Sequence, residues 1–387
     1  MMGIVNLNPY KTQDMKYVFY RTIKEVNQKE WASLQKNASI FLDVGYLKVL
    51  ENINDEMRHL YVIVYQYDSP IMIISVQMMK ISAYQLNRSA KGLKKKILSM
   101  HAQNVLVCGN LFSGGLHGFA CKEEIDTSTQ WSILAEVIEA IVTKEHNTKI
   151  QSIVLKDFCE KTSHHAHALK PLKYWEIETE PKMVLTIPTE VHSFEDYLQC
   201  LNTRYRSSIK KVHRKIEQAG YRCMPMVIDD EMEKEIYPLY EAVENRSAVD
   251  VASVSFGYLR QVSLTLKDNF QCYVIKDKES IKGFITIIKD GNVSVSHFVG
   301  IAYTNPLYHM VYLRLLHLVI EFAIEQHCDT IDFGRTALEA KANLGAKTSC
   351  SYVWAKHHSF IGNSVLKKLF RHISFDDIVD KHVYKKI

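Results

Sequence analysis

The stretch QCYVIKDKESIKGFITIIKDGNVSVSHFVG, Gln271–Gly300, decides the fold. QCYVIK (271–276) is dense in β-formers, and DKES turns the chain into IKGFITIIK (281–289). Asp290-Gly291 is a hairpin signal, after which NVSVSHFVG (292–300) alternates like a half-buried strand. A change of period follows these three strands. Pro306 opens a helix capped by Thr304 or Asn305, along which Leu307, Val311, Leu315, Leu318, Val319 and Phe322 recur at helical spacing. CDTIDF (328–333) is then a strand reached by a crossover, and so is expected to run parallel to its neighbour. Just upstream of the stretch, Ala252–Leu266 reads as a helix.

Working outward, the first half repeats this order. It has YVIVYQY (61–67), a turn at Ser69-Pro70, IMIISVQMMKI (71–81), NVLVCGN (104–110), a helix from Trp131 to Lys144, and KIQSIVLKDF (149–158). FLDVGYLKVLE (41–51) also lies opposite SVSFGYLRQVS (253–263), so that Gly45-Tyr46-Leu47-Lys48 faces Gly257-Tyr258-Leu259-Arg260. In the same register Tyr61-Val62-Ile63 meets Tyr273-Val274-Ile275. Two matches in one register, each in an equivalent element, indicate an internal duplication. ETEPKM (178–183) interrupts the pattern. The expected domains are therefore 1–180 and 181–387, both α/β with a mixed (α+β) sheet.

Composition agrees with two domains. The chain has 387 residues, of which 47% are hydrophobic and 24% charged, whereas single cores stop growing beyond ~250–300 residues. A net charge of +5 permits an anionic ligand without demanding nucleic acid. The eight cysteines are scattered with no CxxC pair, which fits free thiols in a reducing compartment. MMGIVNLNPYKTQD lacks the apolar core of a secretory signal, and the longest apolar run, near Ile71–Met79, is far shorter than the ~20 residues that span a bilayer. The expectation is a cytoplasmic protein with no transmembrane segment, peripheral membrane contact staying open.

Three stretches carry a family resemblance: YRSSIKKVHRKIEQAG (205–220), VSVSHFVGIAY (293–303) and DFGRTALEAKANLGA (332–346). Together with the element order they resemble the GNAT acyltransferases, in tandem form, and within them the FemAB-like branch with its BioF2-like acetyltransferase relatives. The resemblance implies two GNAT-like domains, the second carrying the active site and the first structural or acceptor-binding. It implies an N-acyltransferase that moves an acyl group from an activated donor to an amine of a small molecule or peptide, without a metal. Acyl-CoA is the favoured donor. In such relatives a (Q/R)-x-x-G-x-(G/A) loop precedes the long helix, but here AYTNPLYHMVY (302–312) has no glycine. Aminoacyl-tRNA therefore remains an alternative donor, and a non-catalytic ligand-binding duplicate an alternative function.

The candidate site residues follow. In DFGRTALEAK, Gly334 permits a sharp turn, so Arg335 and Lys341 project at the C-terminal edge of a parallel strand pair, where α/β sheets bind ligands. A cation there stabilises the carbonyl oxygen that turns anionic under attack; the resemblance gives this place to Lys341. The competing reading pairs Asp332 with Arg335 or Lys341 as a structural ion pair. His297, on the strand face of Val293, Val295 and Val299, is either a packed core histidine or the base for the attacking amine. The candidate catalytic set is thus Lys341, His297 and Asp332. The donor- or substrate-binding set is Arg335, Arg206, Lys210 and Tyr308. Arg206 and Lys210 lie one turn apart on a helix where Arg204, Lys211, Arg214 and Lys215 crowd the same surface, a pattern suited to phosphates or to a solvated face. His164, His165 and His167 have no carboxylate or cysteine cluster to complete a metal site and read as a surface loop. CGNLFSGGLHG (108–118) is no P-loop.

Overall fold

The structure, a computed structural model, describes residues 15–36, 38–53, 56–82, 85, 102–247, 251–359, 362–363 and 381–385. The stretch 1–14, read above for a signal, lies outside them. The chain forms two compact units, one of residues 1–179, 248–254 and 350–375, the other of 180–247, 255–349 and 376–387.

Unit 1 contains β1 (Met15–Tyr20), α1 (Gln28–Gln35), α2 (Val44–Leu50), β2 (Arg58–Gln66), β3 (Ser69–Ser82), β4 (Ala102–Cys108), the short β5 (Phe119–Cys121), α3 (Thr127–Lys144), β6 (Ser152–Phe158) and α4 (Glu160–His165). Strands β1 to β4 pair antiparallel in succession, and β6 lies parallel to β4 after the α3 crossover. One face of α3 (Trp131, Leu134, Ile138 and Ile141) packs on the sheet beside Val62, Ile74, Leu106 and Ile153. Asp126 starts that helix by accepting from the amides of Ser128 and Thr129.

Unit 2 begins with the second part of β7 (Trp175–Thr186), then α5 (Phe194–Cys200), α6 (Thr203–Gln218), β8 (Arg222–Met226), α7 (Asp230–Glu244), α8 (Tyr258–Leu266), β9 (Phe270–Lys276), β10 (Ile281–Asp290) and β11 (Val293–Ile301). After these come α9 (Tyr308–Glu325), β12 (Thr330–Asp332) and α10 (Leu338–Ala342), and β13 (Lys347–His357) ends the series. Strands β8 to β11 form an antiparallel meander, β12 is parallel to β11, and β7 closes antiparallel on β12. In unit 1 the corresponding last place, beside β6, is taken by Tyr352–His357 of β13.

The duplication is visible strand by strand. Tyr61-Val62-Ile63 sits in the second strand of one meander and Tyr273-Val274-Ile275 in the second of the other, while the two Gly-Tyr-Leu segments start α2 and α8. The crossover strand is parallel as expected. Several boundaries differ for local reasons. Tyr67 and Asp68, both with positive φ, make the first hairpin turn, so Ser69-Pro70 is already strand. The second hairpin turns at Gly291-Asn292, one residue later than expected, since Asp290 still pairs with Val293. Helix α8 starts only at Tyr258, because Gly257, at φ +94°, breaks the backbone before it. Helix α9 starts at Tyr308, since the Asn305 side chain holds Leu307 in a turn outside the helix.

Candidate functional site

Strand β12 is three residues long, and its last rung joins Asp332 to Val295 of β11. Strand β11 continues to Ile301 with no further rung to β12, so the two parallel strands form a fork. β7 follows the other side past the end of β12: Phe333 N–H donates to the Met183 carbonyl at 2.9 Å, and Met183 N–H to the Gly334 carbonyl at 3.0 Å.

Beyond the fork the backbone is strained. Gly334, Thr336 and Ala337 have φ of +69°, +62° and +46°. The left-handed region costs a branched residue such as Thr336 on the order of 1–3 kcal/mol, and residues held this way cluster at functional sites. Two side chains hold the turn. Asp332 accepts from the Gly334 amide at 2.9 Å, and Lys341, returning from α10, donates to the carbonyls of Gly334 (3.2 Å) and Arg335 (2.5 Å).

Lys341 is 3% exposed. Burial pushes its ammonium down to about 8, with the Asp332 and Glu180 carboxylates opposing the shift. It therefore changes charge just above neutral pH. The Asp332 carboxylate, 6% exposed, takes the ammonium of Lys182 on β7. Lys182 escaped the sequence reading because it comes from an element far back in the chain. Asp332, Arg335 and Lys341 are brought together, with Lys182 as a fourth member.

His297 belongs to a second network. The β10–β11 register shifts between Ile285 and Ile287, so His297 and Phe298 both face Thr286 in a β-bulge. The bulge breaks the expected alternation. Val299 packs in the core beneath α9, while His297 turns to the opposite face, with Nε2 3.1 Å from the Tyr258 hydroxyl and Nδ1 3.3 Å from Thr286 Oγ1. Burial pushes its pKa down to about 3. The ring is thus neutral with both nitrogens engaged, a weak base rather than one tuned to neutral pH. Glu233, on α7, supports this network without having been noticed in the sequence. Its carboxylate, 0% exposed, accepts from the amides of Gly257 and Leu259 at 3.0 Å each and so anchors the start of α8, which carries Tyr258. The signal was present, an acid between Met232 and Ile236 on a buried helix face.

The remaining candidates lie elsewhere on unit 2. All six cations of α6 keep solvent access; Lys210 is 3.4 Å from Glu195 and Arg206 3.5 Å from the Thr203 hydroxyl. Tyr308 is the first residue of α9, its ring 5.4 Å from that of Tyr303. In unit 1, His167 meets Glu176 at 3.5 Å, and the described residues contain no group of three or more side chains suited to a metal ion.

Residues 203–342, from α6 through α10, match the family described as Acetyltransferase (GNAT) domain. That region of unit 2 is thus similar to a GNAT acetyltransferase domain. Among solved structures the chain is similar to FemX, at 11% identity and a TM-score of 0.57, over 89% of this chain and 98% of that one. It is similar to L-PGS from Bacillus licheniformis, at 11% and 0.54 over 89% and 97%. A tandem GNAT protein from the clavulanic acid biosynthesis pathway matches at 9% and 0.52 over 89% and 99%. At these identities the likeness is one of fold, and the fold it identifies is the tandem GNAT arrangement expected from the duplication. No curated protein matches the sequence significantly.

Proposed function

We propose that unit 2 is the catalytic one and that it transfers an acyl group from an acyl-CoA to an amine of a small molecule or peptide. The observation that carries this reading is the fork between β11 and β12, with the Lys341–Gly334–Asp332 turn at its base. The part of β11 beyond the fork leaves backbone groups to pair with an extended donor, and the turn brings cationic charge to the same place.

The amine lone pair attacks the thioester carbonyl; the C–N bond forms, the carbonyl oxygen takes up charge, and the C–S bond then breaks as thiolate leaves. Lys341, assisted by Arg335, stabilises that oxygen, a role resting on fixed charge in a poorly hydrated place. Asp332, paired with Lys182, keeps the turn closed and Lys341 protonated. His297 fixes the bulge in β11, while the proton of the attacking amine passes to water and on to the thiolate. Unit 1, whose final strand β6 runs into Asp157-Phe158-Cys159 without the Gly-Arg pair, is the structural or acceptor-binding copy.

One observation favours a second donor. The exposed face of α6 presents Arg204, Arg206, Lys210, Lys211, Arg214 and Lys215 with Lys210–Glu195 as its one ion pair among the described residues. Such a face suits the phosphates of an aminoacyl-tRNA.

Purified protein is to be offered acetyl-CoA, longer acyl-CoAs and charged tRNA with a panel of amines, beside Lys341→Ala. Donor binding and amide formation are expected with an acyl-CoA, and loss of turnover in the variant. Failure of every donor to bind, or a variant as active as the parent, ends the assignment.

A further inference from the structure

Helix α10, which carries Lys341, is five residues long, and an isolated helix that short does not hold itself together in water. Left-handed residues bound it at both ends, Ala337 at φ +46° and Gly345 at φ +88°. Its place therefore depends on what packs against it. One support is Tyr197 of α5, fully buried, whose hydroxyl donates to the Leu344 carbonyl at 2.6 Å. The other is a segment well beyond it in the chain, residues 381–385.

This segment is anchored independently of α10. Leu201 and Tyr384 form an antiparallel bridge, while Asn202 N–H donates to the Val383 carbonyl and Lys385 N–H to the Cys200 carbonyl, each at 2.9 Å. The Asn202 side-chain amide donates to the carbonyls of His382 (3.0 Å) and Tyr384 (3.2 Å). Val383, 1% exposed, joins the core of unit 2. The segment is thus fixed to the junction of α5 and α6.

From that base two side chains reach α10 and its end. Lys381 Nζ bridges Glu339 Oε1 at 2.9 Å and Asn343 Oδ1 at 2.8 Å, the residues two before and two after Lys341. The Tyr384 ring lies on Gly345, so close that a Cβ there would stand 2.8 Å from it. The Tyr384 hydroxyl is buried with no hydrogen-bond partner among the described residues. An unpaired buried hydroxyl is destabilising, so this residue serves through the shape of its ring rather than through its oxygen.

We infer that residues 381–385 are a strap that positions Lys341, with Tyr384 as its principal positioning residue. The strap brings no reacting group and acts by fixing α10, and through it the depth at which the ammonium is held. The inference rests on the reading of Lys341 as the cation of the site and adds what keeps that cation in place.

Loosening the strap leaves a specific mark. Burial is the main cause that depresses the Lys341 pKa, against the opposing carboxylates of Asp332 on β12 and Glu180 on β7. Of the other charges around it, Lys182 pairs with Asp332, Lys381 takes up Glu339, and Arg335 contributes its carbonyl as an acceptor. Water reaching the ammonium relieves the largest effect, so the pKa climbs from about 8 toward the ordinary lysine value of 10.5. A strap that only added stability would change the fraction folded and leave this value where it is.

The test compares Tyr384→Ala, Tyr384→Phe and Asn202→Asp in the full chain. Asn202→Asp sets a carboxylate against the two strap carbonyls and so releases the strap at its base rather than at α10. Tyr384→Ala and Asn202→Asp should lower kcat about tenfold or more, the scale of a small misplacement, with the donor KM within about twofold. Both should move the alkaline limb of kcat upward by at least about half a pH unit. Tyr384→Phe should match the parent. Ile216→Ala, which opens a cavity in the core of unit 2, should lower the melting temperature and leave the limb in place. Amide hydrogen exchange of residues 338–346, read by mass spectrometry without turnover, should quicken in the two loosened variants more than in Ile216→Ala. A limb unmoved in Tyr384→Ala, exchange no faster than in Ile216→Ala, or a parent-like Asn202→Asp overturns the inference. Loss of activity in Tyr384→Phe overturns it too, since the hydroxyl would then have a chemical role. Exchange that quickens as expected around a parent protein with no alkaline limb refutes Lys341 as the cation and leaves the strap standing.

Discussion

Lys341 Nζ lies 3.2 Å from the carbonyl oxygen of Gly334, seven residues back along the chain. The contact folds DFGRTALEAK onto itself, so that the ammonium serves as the clasp of a strained turn just beyond the end of β12. Its behaviour is the most direct check on the site.

Acyl transfer should fall on the alkaline side. Folding depresses the Lys341 pKa from 10.5 to about 8, so its charge is present below pH 8 and lost as pH rises through that value. A descending limb near pH 8 in kcat is expected, displaced upward in Lys341→Arg because a guanidinium does not deprotonate. A profile flat from pH 7 to 9.5 in the parent protein rules Lys341 out as the cation.

Asp332→Asn should move that limb downward. The carboxylate is the stronger of the two charges raising the Lys341 pKa, and the amide can still accept from Gly334 N–H. The variant also strands Lys182, which is partly exposed, so a stability loss of about 1–2 kcal/mol is expected, less than for a fully buried pair. Both effects are measurable, by pH–rate profiles and by urea denaturation.

No limb between pH 5 and 8 should belong to His297, because its pKa is pushed down to about 3. His297→Gln is expected to keep the shape of the pH profile while lowering the rate through the bulge it supports. Loss of an acidic limb in that variant would restore histidine as the base.

Acid should loosen unit 2. His213 on α6 and His317 on α9 touch through Nε2 and Nδ1 at 3.2 Å, with Phe194 stacked on His213. Burial lowers both pKa values, that of His213 to about 4 and that of His317 well below the usual imidazole value, and the Arg314 cation works in the same direction. The unfolded chain takes up these protons near pH 6.5 and the folded one only at lower pH, for His213 near 4, so stability is full above pH 6.5 and falls as pH drops toward 4. The slope is on the order of 1 kcal/mol per pH unit per histidine. His213→Gln with His317→Gln should flatten the dependence of melting temperature between pH 7 and 5.

Gly300→Ala should destabilise without touching the turn. A Cβ there would stand 2.1 Å from the Phe284 ring and 2.8 Å from the Leu239 backbone, so α7 cannot approach β11 as closely. Overpacking of this kind costs about 1–3 kcal/mol. A melting temperature equal to the parent's would contradict the close packing.

Much of the architecture could be read from local pattern. The 271–300 meander, the long helix after Pro306 and the parallel strand after it appear in place, because alternation and helical spacing record which side of an element is buried. The duplication was legible in two short matches because both copies keep a Tyr in the second strand and a Gly-Tyr-Leu at a helix start. The shared face of His297 and Val299 was misjudged, since one extra residue in a bulge reverses the alternation beyond it and nothing in VSVSHFVG announces it. Helix starts were early by two residues at α9 and six at α8 because backbone turns, at Asn305 and Gly257, overrode propensity.

By itself the sequence determined the element order, the twofold repeat and the group Asp332, Arg335 and Lys341, since these depend on neighbours a few residues apart. Only the tertiary structure decided that Lys182 is the partner of Asp332, that His297 is held between Tyr258 and Thr286, and that Arg246 lies on Tyr303 at the head of α9. Those contacts join residues that are distant in the chain. Their charge and burial arise from the packing of several elements, and no local pattern in one strand or helix encodes them.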